Sequence, residues 1–322
     1  MHTINDIEIF ITTHNRARLI GQSLESLLAQ TAAPAHITVL DNESTDNTKE
    51  IVLNFKERGV SYIRTEGFLG NYLYAKKHSS KPFTMLFHDD DILHPGYLAL
   101  ALKALNKYKN VSLVTCRYTE FFDTDTPVNM PEINEKHYVF ETQKDWAAHM
   151  YFLENIAYAP AIWRTETFKK INAEYEEFNK FNDWPLLIKA ARHGTAVLLD
   201  DRRLFYVRRH KGQDTWTNTN IPSLRQIVNW DKFFYNIIKP AGFIEKQIFG
   251  YKNYIYMHGK YNAFIPPEQK AKTSAAQLEG EAAAAGLPFS AGKAAWRNLT
   301  NKLLKRRQRK LSKAFVKESF NG

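Results

Sequence analysis

Short apolar runs bounded by turn residues alternate with amphipathic stretches over the first 115 residues, and this alternation constrains the fold more than any other feature of the chain. Ile7 to Ile11, Ile37 to Leu40, Val60 to Ile63, Phe83 to Phe87 and Val111 to Thr115 are strand candidates. Between them lie four helical patterns. The first carries Leu19, Ile20, Ser23, Leu24, Leu27 and Leu28, and the second Ile51, Val52 and Phe55. The third runs around Leu69 to His78 and the fourth from about Gly96 to Tyr108. Such a rhythm predicts βαβ units, and so an α/β fold with a mainly parallel, Rossmann-like sheet flanked by helices. Ligands of these sheets bind in the crevice beyond the strand C-termini, so chemistry is expected in the loops that leave the strands.

Beyond residue 115 the pattern is less regular. Helices are expected over 141–153 and 182–193, and strands over 196–199 and 203–207. These elements close a first domain at 1–215, followed by a helical, aromatic-rich extension at 216–265. Pro266-Pro267 marks a break. Residues 266–294 then read as an Ala/Gly/Ser-rich linker or weak helix, and 295–322 as a basic amphipathic tail.

Composition removes several classes. With 44% hydrophobic and 13% aromatic residues the chain is globular rather than disordered or fibrous. One cysteine, Cys116, excludes an intramolecular disulfide framework and a Cys-rich zinc module. No apolar run approaches the ~20 residues of a spanning helix. The opening MHTINDIEIF carries acids where a signal peptide needs a basic start and an apolar stretch, so a cytoplasmic location is expected. The net charge of +10 is concentrated. Residues 297–317 hold nine Lys or Arg and no acid, and without them 35 bases face 34 acids. An anionic partner therefore belongs to the tail, not to a nucleic-acid cleft through the body.

Three loops carry candidate chemistry. Thr12-Thr13-His14-Asn15-Arg16 ends the first strand just before a helix, which suits a phosphate or nucleotide as well as it suits simple capping. Asp41-Asn42-Glu43-Ser44-Thr45-Asp46 ends the second strand, with an acid placed to accept from a base or ribose, or again to cap. The fourth strand runs into His88-Asp89-Asp90-Asp91. Three successive carboxylates leaving a buried strand repel one another, and Mg²⁺ or Mn²⁺ holding a substrate diphosphate would relieve that cost, the alternative being a solvated acidic turn.

The ordered series ITTHNR, LDNESTD, GFLGN and FHDDDILHP resembles family 2 glycosyltransferases of the GT-A fold, inverting enzymes that use nucleotide-sugar donors and a divalent metal. That resemblance makes 1–215 the catalytic domain. It implies Asp90 as a direct metal ligand, Asp89 in contact with donor ribose or metal, and Asp91 in the metal site. His88 stands where the family carries an acid, and either ligates the ion or supports a ligand. Asp41 resembles the family's base-binding acid, and Thr12, His14 and Arg16 fall on its nucleotide pocket. Asn182-Asp183-Trp184 is similar to the family's Glu-Asp pair, which implies Asp183 as catalytic base, with Asn182 replacing the Glu. Tyr206 to Asp214 resembles an Arg-x-His-x-x-Gln loop. There His210 would complete the metal sphere, and Arg208, Arg209 or Lys211 would offset diphosphate charge, the alternative being a solvated basic turn. Asn155 to Pro160 resembles the segment below the acceptor pocket, which brings in Tyr158. Trp163 and Trp184 are then a sugar platform or plain core.

The function implied is transfer of a hexosyl or N-acetylhexosaminyl group, dependent on Mn²⁺ or Mg²⁺. The donor is a nucleotide-sugar, a UDP-sugar by preference, and the acceptor a glycan or lipid-linked glycan in cell-surface polysaccharide synthesis, such as O-antigen or capsule. If 296–317 is one helix, Trp296, Leu299, Leu303, Leu304, Leu311, Ala314 and Phe315 gather on one side, interrupted by Arg307 and Lys310. Such a helix suits the anionic cytoplasmic face of the inner membrane, the alternative being a solvated or partner-bound helix. Two rivals remain. A dinucleotide-dependent oxidoreductase needs a Gly-rich first turn, which ITTHNRA lacks. A nucleic-acid binder acting through the tail leaves the carboxylate run and Asp183 unexplained.

Overall fold

Twelve strands are present in the computed structural model, which describes residues 1–67, 69–123, 130, 132–210, 213, 221–270, 274–288 and 294–317. In chain order they are β1 (Ile7–Thr13), β2 (Ile37–Asn42), β3 (Val60–Thr65), β4 (Phe83–His88), β5 (Ile92–Leu93), β6 (Val111–Cys116), β7 (Thr119–Phe122), β8 (His137–Phe140), β9 (Ile162–Arg164), β10 (Thr195–Leu199), β11 (Phe205–Arg209) and β12 (Val316–Lys317). Nine form one sheet in the order β12-β8-β10-β6-β9-β4-β1-β2-β3, and a small second sheet has the order β5-β11-β7. In the large sheet only β8 and β9 run against the other strands. The mainly parallel expectation holds, with two short antiparallel insertions.

Alternation along the strands divides the core between the two faces of the sheet. Ile7, Ile9 and Ile11 of β1 and Phe83, Met85 and Phe87 of β4 pack into one cluster with Ile20, Leu24 and Leu27 of α1 (Ile20–Leu28). Phe10 and Leu86, one residue out of phase, point to the opposite cluster. The first face is covered by α1, α2 (Thr48–Leu53) and α4 (Tyr97–Lys107), each set into its βαβ crossover. On the other face, α3 (Gly70–His78), α5 (Gln143–Leu153), α6 (Thr165–Lys170), α7 (Tyr175–Phe178) and α8 (Asp183–Ala190) contribute. Trp146 through Phe152 of α5 are buried without a break, as expected of a helix enclosed on all sides.

What encloses α5 is the C-terminal part of the chain. The helices α9 (Leu224–Ile238), α10 (Gly242–Phe264), α11 (Pro267–Lys270), α12 (Ala275–Ala284) and α13 (Ala294–Lys313) follow in order. Phe234 of α9 and Phe249 of α10 join the same core as Tyr151, whose ring stacks on Phe249 at 4.6 Å and 5°. Helix α13 packs on α5 and α10, and the chain then adds β12 to the edge of the sheet beside β8. Leu304 and Leu311 are buried there, Gln308 Nε2 donates to the Phe152 carbonyl at 2.7 Å, and the Tyr138 hydroxyl donates to that of Ser312 at 3.1 Å. Leu304 and Leu311, on the side of the tail that the sequence assigns to a bilayer, are thus covered by the protein itself, whereas Leu299 on that side is 48% exposed. No helix among the described residues is long and apolar enough to cross a membrane.

Candidate active site

Strands β1, β2 and β3 step outward in one direction, whereas β4 returns to the other side of β1. The order therefore reverses between β1 and β4, where a parallel sheet opens a crevice at its C-terminal end. Thr12 pairs in register with His88, so the loop holding His14 and Arg16 and the loop holding Asp89 to Asp91 leave the sheet side by side. Ligand atoms of His88, Asp90 and Asp91 lie within 4.8 Å of one another. His210, arriving from the end of β11, brings its Nε2 to 3.1 Å from Asp90 Oδ2. Arg16 Nε lies 3.7 Å from Asp89 Oδ1.

The electrostatics follow from burial and crowding. Asp89 and Asp91 are 7% and 3% exposed, and desolvation reinforced by the charge of Asp90 pushes both carboxyl pKa values up. Desolvation opposes ionisation of Asp90 too. The hydrogen bond to His210 and the charges of His88 and Arg16 outweigh it, so Asp90 is held below the usual carboxylate range. A hard divalent cation fits this donor set, because it supplies the positive charge that clustered carboxylates need.

Arg208 corrects the sequence reading. It was expected to face a diphosphate, but it is 1% exposed and committed to the protein. Its backbone N–H donates to Asp91 Oδ1 at 3.0 Å, its Nε to the Asp90 carbonyl at 2.8 Å and its Nη2 to Gln22 Oε1 at 2.5 Å. Asp123 closes the set at 3.4 Å. Arg208 thereby locks the carboxylate turn onto β11 and α1. Arg209 pairs with Glu120, and Lys211 lies outside the described residues. Gln213 donates its Nε2 to the Arg208 carbonyl, while its buried Oε1 has no partner among the described residues.

On the β1–β2 side, His14 is exposed and donates from Nδ1 to the Asn42 carbonyl at 2.6 Å. Thr12 donates to the Phe87 carbonyl at 3.5 Å, tying β1 to β4. Asp41 departs from expectation. It is 0% exposed, with Oδ1 accepting from the Ser44 N–H at 2.9 Å and Oδ2 from the Tyr62 hydroxyl at 2.7 Å. The carboxylate shapes the turn after β2 instead of facing open space.

Asp183 begins α8 and opens into a cavity of about 680 Å³. Asn182, in the position of the family's Glu, is buried, accepting from the Glu174 N–H at 2.7 Å and donating to the Asn179 carbonyl at 2.7 Å. It holds the turn that presents Asp183. Water reaches this carboxylate, but the cavity walls surround it. Desolvation pushes its pKa up to about 6, and the positive charge of His88 works against that rise. The Tyr158 ring lies 6.1 Å from the His88 ring, and its hydroxyl is raised first by burial and then by the charge of Asp183. His88 and Tyr158 therefore connect the carboxylate turn to the cavity.

Trp184 lines the cavity together with Trp230, Tyr256 and Phe264 from the C-terminal helices. Trp163 does not. It is 1% exposed on β9, packed against Tyr158 at 5.8 Å and Phe168 at 6.2 Å, and belongs to the core. Sequence reasoning also missed Lys180, Arg202, Lys260 and Gln308, which complete the wall. No local motif marks them, since four separate segments converge there.

Residues 8–159 match the Glycosyl transferase family 2 model. The chain is 25% identical over 236 residues, 72% of its length and 73% of the relative's, to an uncharacterized glycosyltransferase of Rickettsia typhi. It is 29% identical over 115 residues, 35% of its length and 45% of the relative's, to the Escherichia coli UDP-Glc:alpha-D-GlcNAc-diphosphoundecaprenol beta-1,3-glucosyltransferase WfgD. In fold it is similar to S. aureus TarS 1-349 in complex with UDP-GlcNAc, with a TM-score of 0.58 at 15% identity over 95% of this chain and 88% of that one. It is also similar to the mannosyltransferase PcManGT from Pyrobaculum calidifontis in complex with GDP-Man and Mn²⁺, with a TM-score of 0.51 at 16% identity over 95% and 86%.

Proposed function

Because residues 8–159 match the Glycosyl transferase family 2 model, we propose that the chain is a metal-dependent inverting glycosyltransferase moving a hexosyl or N-acetylhexosaminyl group from a UDP-sugar to a glycan or lipid-linked acceptor of a cell-surface polysaccharide. The observation that supports this reading is the line from Asp90 through His88 and Tyr158 to Asp183, which joins a turn of clustered carboxylates to a cavity holding a water-accessible carboxylate. Asp90, Asp91, His88 and His210 would hold Mn²⁺ or Mg²⁺, which would supply positive charge to the donor diphosphate. Thr12, His14, Arg16 and Asp89 line the nucleotide side. The acceptor sugar lies on Trp184, beside Tyr158, with its hydroxyl toward Asp183.

Asp183 takes the hydroxyl proton as the acceptor oxygen bonds to the anomeric carbon. The bond from that carbon to the diphosphate breaks on the opposite face, and its electron pair leaves with the nucleoside diphosphate. A carboxylate with a pKa about 6 is mostly ionised at neutral pH yet more basic than an exposed one, which suits a general base.

An anionic leaflet on the cytoplasmic side of the inner membrane is the second partner in this reading. Lys302, Lys305, Arg306, Arg309, Lys310 and Lys313 recur at intervals of three and four along α13, and all are exposed, on the side away from buried Leu304 and Leu311. Each such charge gains about 1 kcal/mol near an anionic surface.

Calorimetric titration of UDP, with and without Mn²⁺, tests the metal assignment. Asp90→Ala should lose the Mn²⁺-dependent part of UDP binding. Unchanged Mn²⁺-dependent binding overturns the assignment.

A further inference from the structure

Helices α10 and α13, which pack against each other, carry a surface that the catalytic reading does not use. Single exposed hydrophobic side chains are ordinary on a folded protein, but here they recur on one helix pair. Phe243 and Ile244 of α10 are 67% and 59% exposed, and Ile255 of α10 and Leu299 of α13 are exposed as well. Phe243 and Ile244 are adjacent at the start of α10, just after the turn from α9. Lys239 and Gly242 take φ of 46° and 71° in that turn, so the chain reverses sharply and the pair stands at its tip. Exposed Lys239 and Lys246 flank the pair in sequence. Glu245 ties the tip to α13. Its Oε2 accepts from the Ala241 N–H at 2.9 Å, which fixes the start of α10, and its Oε1 accepts from Arg307 Nη1 at 3.1 Å. The apolar pair is therefore held beside the middle of α13, where Arg306, Arg309 and Lys310 are exposed.

An apolar tip ringed by cations constrains what can cover it. A second copy of the chain would bring two cationic surfaces together, which is unfavourable. An anionic bilayer answers both features, because its headgroups meet the cations and its acyl boundary takes the apolar side chains. From this we propose that the turn between α9 and α10 inserts Phe243 and Ile244 into an anionic bilayer, with Lys239, Lys246 and the exposed cations of α13 at the headgroups. The inference rests on the leaflet reading above, which used the charge of α13 alone, and supplies the apolar part of that contact. Gln308, next to Arg307, lines the cavity beside Asp183, so the tip is tied to the turn of α13 that walls this cavity.

Co-sedimentation of the full chain with vesicles of phosphatidylcholine, alone or mixed with phosphatidylglycerol, tests the surface. The wild type should bind the mixed vesicles. Phe243→Ser with Ile244→Ser leaves the buried side of α10 and every cation in place, and should weaken that binding roughly 10- to 100-fold while the residual binding keeps its salt dependence. Binding unchanged by the double substitution overturns the inference. A wild type that does not bind overturns it too, and removes the leaflet reading with it. Depth is read separately. Cys116 is the one cysteine and is buried, so Ile244→Cys can be labelled selectively with an NBD fluorophore. Its emission should rise and shift to the blue on mixed vesicles, and nitroxides on the acyl chains should quench it. Unchanged emission from vesicle-bound protein means headgroup contact without insertion and overturns the inference. Sedimentation velocity checks for a second copy: a wild-type dimer that the double substitution returns to monomer assigns the patch to self-association instead. Mn²⁺-dependent UDP binding is measured on the same samples. If the wild type shows none, the glycosyl-transfer reading falls; if it is intact while the serine variant still binds vesicles fully, only the insertion falls.

Discussion

Replacing Asp183 with Asn keeps the side chain's shape and removes its basic oxygen. General-base catalysis contributes about 10²- to 10⁴-fold, so turnover should fall by at least ~100-fold while UDP-sugar affinity is kept. The structure adds a pH signature. With a pKa about 6, set by desolvation against the charge of His88, roughly nine in ten Asp183 side chains are ionised at pH 7. Wild-type kcat/KM should therefore decline with unit slope below about pH 6, and the residual activity of the Asn variant should lack that limb. Stability moves in the opposite sense. The folded-state pKa is raised, so the contribution of this group is present below the unfolded value near 4 and is lost as pH rises through about 6. Asp183→Asn removes a partly desolvated charge, and at neutral pH it should melt no lower than wild type. Initial rates of nucleoside diphosphate release across pH, with melting curves on the same samples, provide the measurement. An Asn variant within tenfold of wild type, or an acid limb near pH 4, refutes the assignment. Lost activity with a lowered melting point points to structural damage instead.

Three further perturbations address the scaffold. Arg208→Lys should destabilise the fold by about 3–5 kcal/mol in urea unfolding, because an ammonium cannot serve Gln22, Asp123 and the Asp90 carbonyl together in the buried slot that a guanidinium fork fills. Leu304→Ala should cost about 2–5 kcal/mol, read as a drop in melting temperature, since its side chain is buried against the body; an unchanged midpoint would mean that α13 is detached in solution. Changing Lys302, Lys305 and Arg306 to Glu should weaken binding to vesicles containing anionic lipid, and added salt should do the same to the wild type, as exposed charges are screened over about 10 Å at 0.1 M.

The strand-and-helix rhythm of residues 7–115 was readable because each element is long enough for its apolar period to appear locally. The His88 to Asp91 run was readable for a similar reason, since like charges beside an apolar strand conflict within a few residues. Strand β9 was not readable: three residues carry no period, and Ile162–Arg164 is a strand only because β4 and β6 flank it. Trp163 and Arg208 show the same limit for side chains. A tryptophan suits a sugar platform or a core equally, and an arginine beside a histidine suits a diphosphate or a buried clamp. Tertiary neighbours decide, and they come from distant segments. The tail illustrates this on a larger scale. Its amphipathic pattern was visible, but nothing in residues 295–317 reveals that Leu304 and Leu311 are buried where α13 packs on α5 and α10.

The two-residue strand β12 changes how this sheet meets solvent. An open sheet has two edges, and each offers unpaired N–H and C=O groups on which a foreign strand can grow. At one end, β3 meets the hazard with polar side chains such as Ser61 and Arg64 and with the short helix α2 beside it. At the other end, β8 reads His-Tyr-Val-Phe, is buried along its whole length, and would be an adhesive edge if uncovered. Val316 and Lys317 pair with Tyr138 and His137 and close that row, with the charge of Lys317 turned outward. The two-residue strand β12 therefore blunts this edge. A preparation in which it has been clipped should remain catalytically equipped yet accumulate as soluble oligomers and precipitate, the loss appearing first in light scattering.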